Sequence, residues 1–212
     1  MTATPYVSAD PRAGRFEAFV DRLRDDVYPE PPSEQHTELA RHMWGVLKQV
    51  VPMPPGTRVL DVGCGQGLAL EFFRDGGLPA IGITIGDEDL AACRARGFEV
   101  RDMDQSYLDF PGESFDLVWC RHALEHSAAP YFTLAGFHRV LARGGTLYVE
   151  VPAPDTACKH ETNPNHYSVL GRSAWISLMQ RAGFDVVDTA VIDFAVPAGP
   201  DTYWGFILRK RG

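Results

Sequence analysis

The feature that most constrains the fold is a glycine-rich turn directly after a short apolar segment, in the stretch RVLDVGCGQGLAL from Arg58 to Leu70. Short apolar runs of this kind are typical of buried parallel strands. Gly63, Gly65 and Gly67 have no β-carbon, so a ligand is able to approach the backbone of the turn closely. The sequence therefore predicts a strand, a ligand-binding turn and a helix.

Short apolar segments and helical patterns alternate along the rest of the chain. Apolar residues recur at helical spacing from Arg15 to Val27 and from Glu34 to Val50. After the PMPPG breaker, further helices are predicted at 68–74, 87–96, 123–141 and 172–182, with strands between them. This alternation predicts an α/β fold: a doubly wound, mostly parallel, seven-stranded Rossmann-like sheet with ligands at the carboxyl ends of its strands.

The last two predicted strands are joined by DFAVPAGPD, which is too short to hold a crossover helix. They should therefore be antiparallel neighbours, so that the sheet ends in a C-terminal hairpin. The 212 residues, 45% of them hydrophobic, suit one compact domain. Within it we expect an N-terminal helical arm or lid at 1–55, interrupted by a YPEPPS linker at 28–33, and a core at 56–212.

Charge and cysteine usage narrow the function classes. The formal charge is −8, with 20 basic and 28 acidic side chains, which disfavours nucleic acid and anionic membranes as partners. The four cysteines form no CxxC pair, and no apolar stretch resembles a signal peptide or a membrane span. These observations indicate a cytoplasmic protein and leave its oligomeric state open.

The turn reads G-x-G-x-G preceded by Asp61, whereas a dinucleotide site reads G-x-G-x-x-G, and no P-loop lysine follows. VLDVGCGQG resembles the first motif of class I S-adenosylmethionine-dependent methyltransferases. VRDMDQSYLDFPGESFDLVWCRHALEH and RVLARGGTLYVEVP extend the resemblance to the small-molecule branch similar to the ubiquinone-biosynthesis O-methyltransferases, over about 57–209. It implies methyl transfer to an O, N or S atom, with S-adenosyl-L-homocysteine as the product.

The resemblance also implies how the cofactor is held. It places the methionine moiety against the glycine turn, the adenine amino group against Asp104, and the ammonium group against backbone carbonyls of Cys120 and Arg121. The implied cofactor-binding residues are Asp61, Gly63, Cys64, Gly65, Gln66, Gly67, Thr84, Asp104, Gln105 and Cys120.

Thr84 departs from the family pattern. The family usually ends its second strand with an acid that accepts both ribose hydroxyls, and a threonine hydroxyl carries no charge. Three alternatives stay open: the ribose is held less tightly, Asp87, Glu88 or Asp89 replaces that acid, or the site accepts the 2′-phosphate of a dinucleotide.

A histidine-rich stretch, RHALEHS, follows the fourth predicted strand. If it begins a helix, His122, Glu125 and His126 share one face. The quinone-pathway relatives carry a similar Glu-x-x-Glu-His that can bind a divalent cation. A second cluster, KHETNPNHYS, follows the fifth strand and includes His160, Glu161 and His166.

Three interpretations of these clusters stay open. The first is a divalent metal held by His122, Glu125, His126 and His166. The second is metal-free catalysis, in which His126 or His166 is the general base beside Glu125. The third is a purely structural role.

The reaction is also open. Alternatives to methyl transfer are another use of the same cofactor, such as cyclisation or a non-methyl transfer, and a non-catalytic cofactor-binding module. Tyr28, Tyr167 and Tyr203 lie in segments that close the pocket in the resembling family, so we expect substrate contacts from them.

Overall fold

The computed structural model describes residues 14–24 and 33–212. The predicted seven-stranded, mostly parallel sheet is confirmed, with strand order β3-β2-β1-β4-β5-β7-β6. Only β7 runs antiparallel to its neighbours, β5 and β6, which confirms the C-terminal hairpin. The strands are β1 (Val59–Val62), β2 (Ala80–Thr84), β3 (Val100–Asp102), β4 (Phe115–Arg121), β5 (Leu141–Pro152), β6 (Phe184–Val196) and β7 (Gly199–Lys210).

The helices follow the predicted order, with one clear error of position. They are α1 (Gly14–Leu23), α2 (Glu34–Val50), α3 (Leu68–Asp75), α4 (Asp87–Ala95), α5 (Pro130–Val140) and α6 (Arg172–Arg181), with 3-10 turns at Leu124–His126 and His160–Thr162. The prediction of a helix from residue 123 is wrong, because α5 begins at Pro130. A residue before proline avoids helical geometry, and Ala129 is not helical, with φ −140° and ψ 69°.

Alternate side chains of the strands pack against helices on the two faces of the sheet, as the twofold period of a strand requires. On β4, Trp119 packs against α2 and α3, whereas Val118 contributes to the core beneath α5 and α6. Trp44 of α2 meets Trp119 edge to face, with the ring centroids 6.0 Å apart. The α2 helix is therefore packed into the sheet, and Ser33 caps it by accepting a hydrogen bond from the His36 amide at 3.1 Å.

The hairpin strands are longer than predicted, because β6 and β7 pair over most of the predicted link as far as Val196 and Gly199. Tyr28, Val27 and the linker before Ser33 lie outside the described residues. The division into an arm at 1–55 and a core at 56–212 stays a prediction. No helix in the described parts of the chain is long and apolar enough to cross a bilayer.

Candidate functional site

The glycine turn connects β1 to α3 at the carboxyl edge of the sheet. Gly63, Gly65 and Gly67 have φ values of 69°, 49° and 86°, in the left-handed region that favours glycine. A β-carbon on Gly63 would lie 2.7 Å from the Ala123 β-carbon, whereas one on Gly65 would have no protein atom within 4 Å. The turn therefore packs closely against Ala123 at Gly63, whereas the space beside Gly65 is free of protein atoms.

A cavity of about 320 Å³ lies against this turn. Its walls come from the ends of β2 and β4, the segment after β3, and helices α1 and α2. Seven of the ten predicted cofactor residues line it: Gly63, Cys64, Gly65, Gln66, Thr84, Asp104 and Gln105. The other three, Asp61, Gly67 and Cys120, are not part of its lining.

Two buried polar atoms without a hydrogen-bond partner lie near this cavity, one on Gln105 of its lining and one on Asp61 of β1, two residues before the glycine turn. Asp61 is 2% exposed, and its Oδ2 has no hydrogen-bond partner. Burial, with a smaller effect of Cys93, raises the pKa of Asp61 to about 8. Gln105 donates through Nε2 to the Ala123 carbonyl at 2.6 Å, which leaves its buried Oε1 unpaired. Buried acceptors without donors are costly, so the cavity suits a ligand that donates several hydrogen bonds.

The three acidic residues after β2 differ in their exposure and in their distance from the cavity. Asp87 and Glu88 are exposed, whereas Asp89 lines the cavity together with Thr84. Its Oδ1 is buried without a partner, and burial raises the pKa of Asp89. Of these three acids, Asp89 is therefore the one whose carboxyl group reaches the cavity.

The segment after β4 is a 3-10 turn, so His122, Glu125 and His126 do not lie on the first turn of a helix. His122 has φ 50° and lies between two carboxylates, with Nδ1 3.3 Å from Glu125 and Nε2 3.1 Å from Glu150. Burial opposes a charge on this ring, but the two carboxylates hold its pKa above the usual value. Since both nitrogens must donate there, the geometry favours the imidazolium form, which has no lone pair for a metal.

Glu150, at the end of β5, is the centre of a buried charge network. It is 0% exposed, lies 2.7 Å from the Arg121 guanidinium, and accepts a hydrogen bond from Tyr148 at 2.6 Å. Burial opposes its charge, but Arg121 and His122 lower the pKa of Glu150 to about 2. Glu150 is not among the site residues predicted from the sequence, although a single acidic residue inside the apolar run TLYVEVP was a signal for it.

Glu150→Gln is expected to lower the free energy of unfolding by about 3 kcal/mol, because Arg121 and His122 would keep buried charges without their partner. Urea denaturation measures this loss. Because the folded-state pKa lies below the usual 4.5, the contribution is complete above pH 4.5 and disappears as the pH falls towards 2. The matched control is Glu113→Gln in an exposed pair with Arg143, expected within about 0.5 kcal/mol. Equal losses in both variants would contradict the network.

A second group of polar side chains brings together residues from both predicted clusters. Glu125, His126 and His166 each offer one potential ligand atom, and these atoms lie within 4.8 Å of one another. The Nδ1 atoms of His126 and His166 lie 2.9 and 3.0 Å from the backbone carbonyls of Asn165 and His160. Donation through Nδ1 leaves both Nε2 lone pairs available, and the buried Glu125 Oε2 has no partner. His122 does not belong to this group.

The smaller cavity beside this group, about 250 Å³, is called here the histidine chamber. The chamber and the glycine-turn cavity share a wall, because four residues line both of them: His36, Arg121, His122 and His126. Tyr203 of the chamber lies 3.1 Å from His36 Nε2, and Tyr167 lines the larger cavity. The chamber is lined by His36, Arg121, His122, Glu125, His126, Cys158, His160, Asn163, His166 and Tyr203.

The sequence is similar to those of known methyltransferases. The family model described as "Methyltransferase domain" matches residues 60–149. The ubiquinone biosynthesis O-methyltransferase of Hahella chejuensis is 36% identical over 101 residues, covering 44% of this chain and 42% of that protein. The 27-O-demethylrifamycin SV methyltransferase of Amycolatopsis mediterranei is 30% identical over 160 residues, covering 66% and 58%. The chain thus spans about half the length of these relatives.

Other similarities extend over more of the chain. The 2-methyl-6-phytyl-1,4-hydroquinone methyltransferase of Synechocystis is 27% identical, covering 100% of this chain and 78% of that protein. A crystal structure entitled a putative methyltransferase from Bacillus halodurans has a TM-score of 0.68 and 18% identity, covering 79% and 98%. The [4+2]-cyclase SpnF has a TM-score of 0.71 and 20% identity, covering 94% and 96%. These two structures match in fold.

Proposed function

We propose that this chain is a class I S-adenosylmethionine-dependent methyltransferase, and that it methylates a small molecule held between the glycine-turn cavity and the histidine chamber. The observation that carries the proposal is the wall that the two cavities share, which includes His126. One cavity has the glycine turn and unpaired hydrogen-bond acceptors. The other has imidazole nitrogens and a carboxylate oxygen, which are able to take the proton of the hydroxyl group to be methylated or to bind a cation that holds this group. Methyl transfer needs these two halves side by side.

The residues around the turn fit S-adenosylmethionine. The open space at Gly65 admits the ligand, and the unpaired Asp61 and Gln105 oxygens suit a ligand rich in N–H and O–H donors. Asp104 lies on the same wall, where we assign it to the adenine amino group. A carboxylate from Asp89 beside Thr84 suits ribose hydroxyls and disfavours the 2′-phosphate of a dinucleotide.

When bound, the sulfonium supplies an electrophilic methyl group. The chain must then align an acceptor atom with that methyl group and remove the acceptor's proton. Helices α1 and α2 line the cavity through Leu23 and His36 and exclude water from it. Burial lowers the pKa of His166, so this ring stays neutral near pH 7 and its Nε2 is able to accept a proton or bind a cation.

For the acceptor side we assign a divalent cation to Glu125, His126 and His166. Two imidazoles and one carboxylate are a common ligand set with open positions for a substrate. Such a cation lowers the pKa of a coordinated hydroxyl and fixes its orientation. Among the interpretations of the histidine clusters, the metal is favoured by the unpaired Glu125 oxygen, which a metal-free base would leave without a partner.

Product analysis tests the reaction. S-adenosylmethionine is incubated with the protein, a divalent cation and a panel of phenol, catechol, amine and thiol acceptors. Formation of S-adenosylhomocysteine together with a methylated acceptor supports methyl transfer. Methylthioadenosine would instead support cleavage of the other carbon–sulfur bond, and an acceptor-dependent product with the cofactor unchanged would support cyclisation. Binding without any product would support a non-catalytic module.

Asp89→Ala is expected to weaken the binding of S-adenosylmethionine by roughly 10- to 100-fold, since hydrogen bonds to a charged group contribute about 1.5–3 kcal/mol each. Isothermal titration calorimetry measures the affinity. Glu88→Ala, on the exposed face of the same helical turn, is the matched control and should leave the affinity unchanged. Equal affinities of the two variants would remove Asp89 from the ribose site.

A further inference from the structure

A second group of metal-ligating side chains, Cys158, His160 and Asp201, lies at the histidine chamber, apart from the residues used so far. Cys158 and His160 line the chamber, and Asp201 is buried behind them at 2% exposure. Cys158 and His160 belong to the loop after β5, whereas Asp201 lies near the start of β7. The group therefore joins a loop to a strand of the sheet.

The three side chains already converge. The potential ligand atoms, one from each residue, lie within 4.8 Å of one another. His160 Nε2 lies 3.1 and 3.0 Å from the two oxygens of Asp201. Ligand atoms of a tetrahedral zinc site are separated by roughly 3.4 Å, because the bonds are about 2.0–2.3 Å long. A small movement of the Cys158 sulfur towards His160 and Asp201 would thus bring the three ligand atoms to the separations of a tetrahedral site.

We propose that Cys158, His160 and Asp201 bind a divalent cation of the zinc class, whose fourth coordination position opens into the histidine chamber. One thiolate, one imidazole and one carboxylate suit zinc or cobalt, since sulfur ligands disfavour magnesium and calcium. The group of Glu125, His126 and His166 offers only nitrogen and oxygen. The two groups therefore differ in the cations they select.

Without a cation, protons occupy the positions between these groups. Burial and the hydrogen bond to Asp201 raise the pKa of the Cys158 thiol to about 11. The thiol is then protonated and unreactive at neutral pH. Cation binding replaces the thiol proton, which is released to solvent, while the His160 proton moves from Nε2 to Nδ1. Binding should therefore release about one proton per cation and become tighter as the pH rises.

The cation would also position His166. The loop that carries Cys158 and His160 continues to His166, whose Nδ1 lies 3.0 Å from the His160 carbonyl. The His160 and His166 rings stack with their centroids 5.8 Å apart. Anchoring His160 to Asp201 through a cation would thus fix the loop segment that presents His166 to the chamber.

Cobalt titration tests the proposal directly. Untagged full-length protein is treated with a chelator and titrated with Co²⁺, whose thiolate complexes show an intense near-ultraviolet charge-transfer absorption. We expect this absorption in the wild-type protein and its loss in Cys158→Ala, together with one fewer equivalent of bound cation. Cys93→Ser, which alters a buried thiol of α4, is the matched control and should keep the absorption.

Two further variants keep the test decisive. If Cys158→Ala does not fold, Asp201→Asn serves as the test variant instead. It retains the side-chain volume and should weaken Co²⁺ binding by at least tenfold. His126→Ala should keep the thiolate absorption, which separates this site from the proposed function. A wild-type protein without thiolate absorption, or a Cys158→Ala variant with unchanged stoichiometry, would overturn the proposal. Methyl transfer absent while the absorption persists would contradict the proposed function alone.

Discussion

Gly65→Val is expected to abolish measurable binding of S-adenosylmethionine, with a loss of roughly 100-fold or more. The β-carbon position at Gly65 points into space free of protein atoms, so a valine side chain would occupy the volume that the ligand needs. The positive φ of 49° adds strain for any residue with a side chain. Isothermal titration calorimetry with S-adenosylmethionine and S-adenosylhomocysteine gives the affinities.

Gly56→Val is the matched control for this substitution. Gly56 also has a positive φ, 88°, and no protein atom within 4 Å of its β-carbon position, but it does not line the cavity. Both variants carry the cost of left-handed backbone, and only Gly65→Val fills the site. If both lost affinity equally, strain alone would explain the result; if Gly65→Val kept wild-type affinity, the turn would not be the cofactor site.

The same site should give a pH-dependent affinity. Because the pKa of Asp61 is about 8 in the free protein, its carboxyl group is largely neutral at pH 7. A positively charged ligand favours the ionised form, so binding should release a proton and tighten as the pH rises towards 8. Asp61→Asn keeps the shape of the side chain and should remove this dependence.

His126→Ala and His166→Ala are expected to reduce turnover by roughly 100-fold or more, the scale of losing acid–base or metal assistance. Cofactor affinity should change little, because neither residue belongs to the glycine turn. Initial rates of S-adenosylhomocysteine formation, compared with the calorimetric affinities, separate these effects. The pair should also lose about one equivalent of bound cation, measured by elemental analysis.

The control for the histidine substitutions is His42→Ala on the exposed face of α2. It removes one imidazole from the chain without touching either cavity, so it should keep wild-type turnover and cation content. Normal turnover in both His126→Ala and His166→Ala would return the two histidines to a structural role. Loss of turnover with cation content unchanged would favour the general-base interpretation.

The fold was largely predictable because its signals are local. Short apolar segments between helical patterns defined the strands, and the short DFAVPAGPD link was enough to predict the antiparallel hairpin. The start of α5 was not predictable in this way, because the apolar positions before Pro130 are spaced as in a helix, whereas the backbone of Ala129 is not helical. At this position the steric effect of Pro130 on the preceding residue determines where the helix begins, and the helical spacing of the apolar residues does not.

The candidate site was harder, because its residues meet only through tertiary structure. The glycine turn lies in one local stretch, and seven predicted residues of its site line one cavity. By contrast, Glu150 reaches His122 from a neighbouring strand, and Asp201 reaches His160 across 41 positions. The spacing in the sequence predicted His122 as a metal ligand. In the structure, however, the two ring nitrogens of His122 donate hydrogen bonds to Glu125 and to Glu150, which is distant in sequence.

The position of β7 between β5 and β6 has a consequence for how the chain reaches its native state. β7 is the last strand along the described chain, and it pairs with seven residues of β5 from Thr146 to Pro152. Until β7 has been synthesised, β5 has an open edge able to pair with other chains. Completion of the sheet therefore has to wait for the last strand to leave the ribosome, and the β5 edge stays unpaired during that interval.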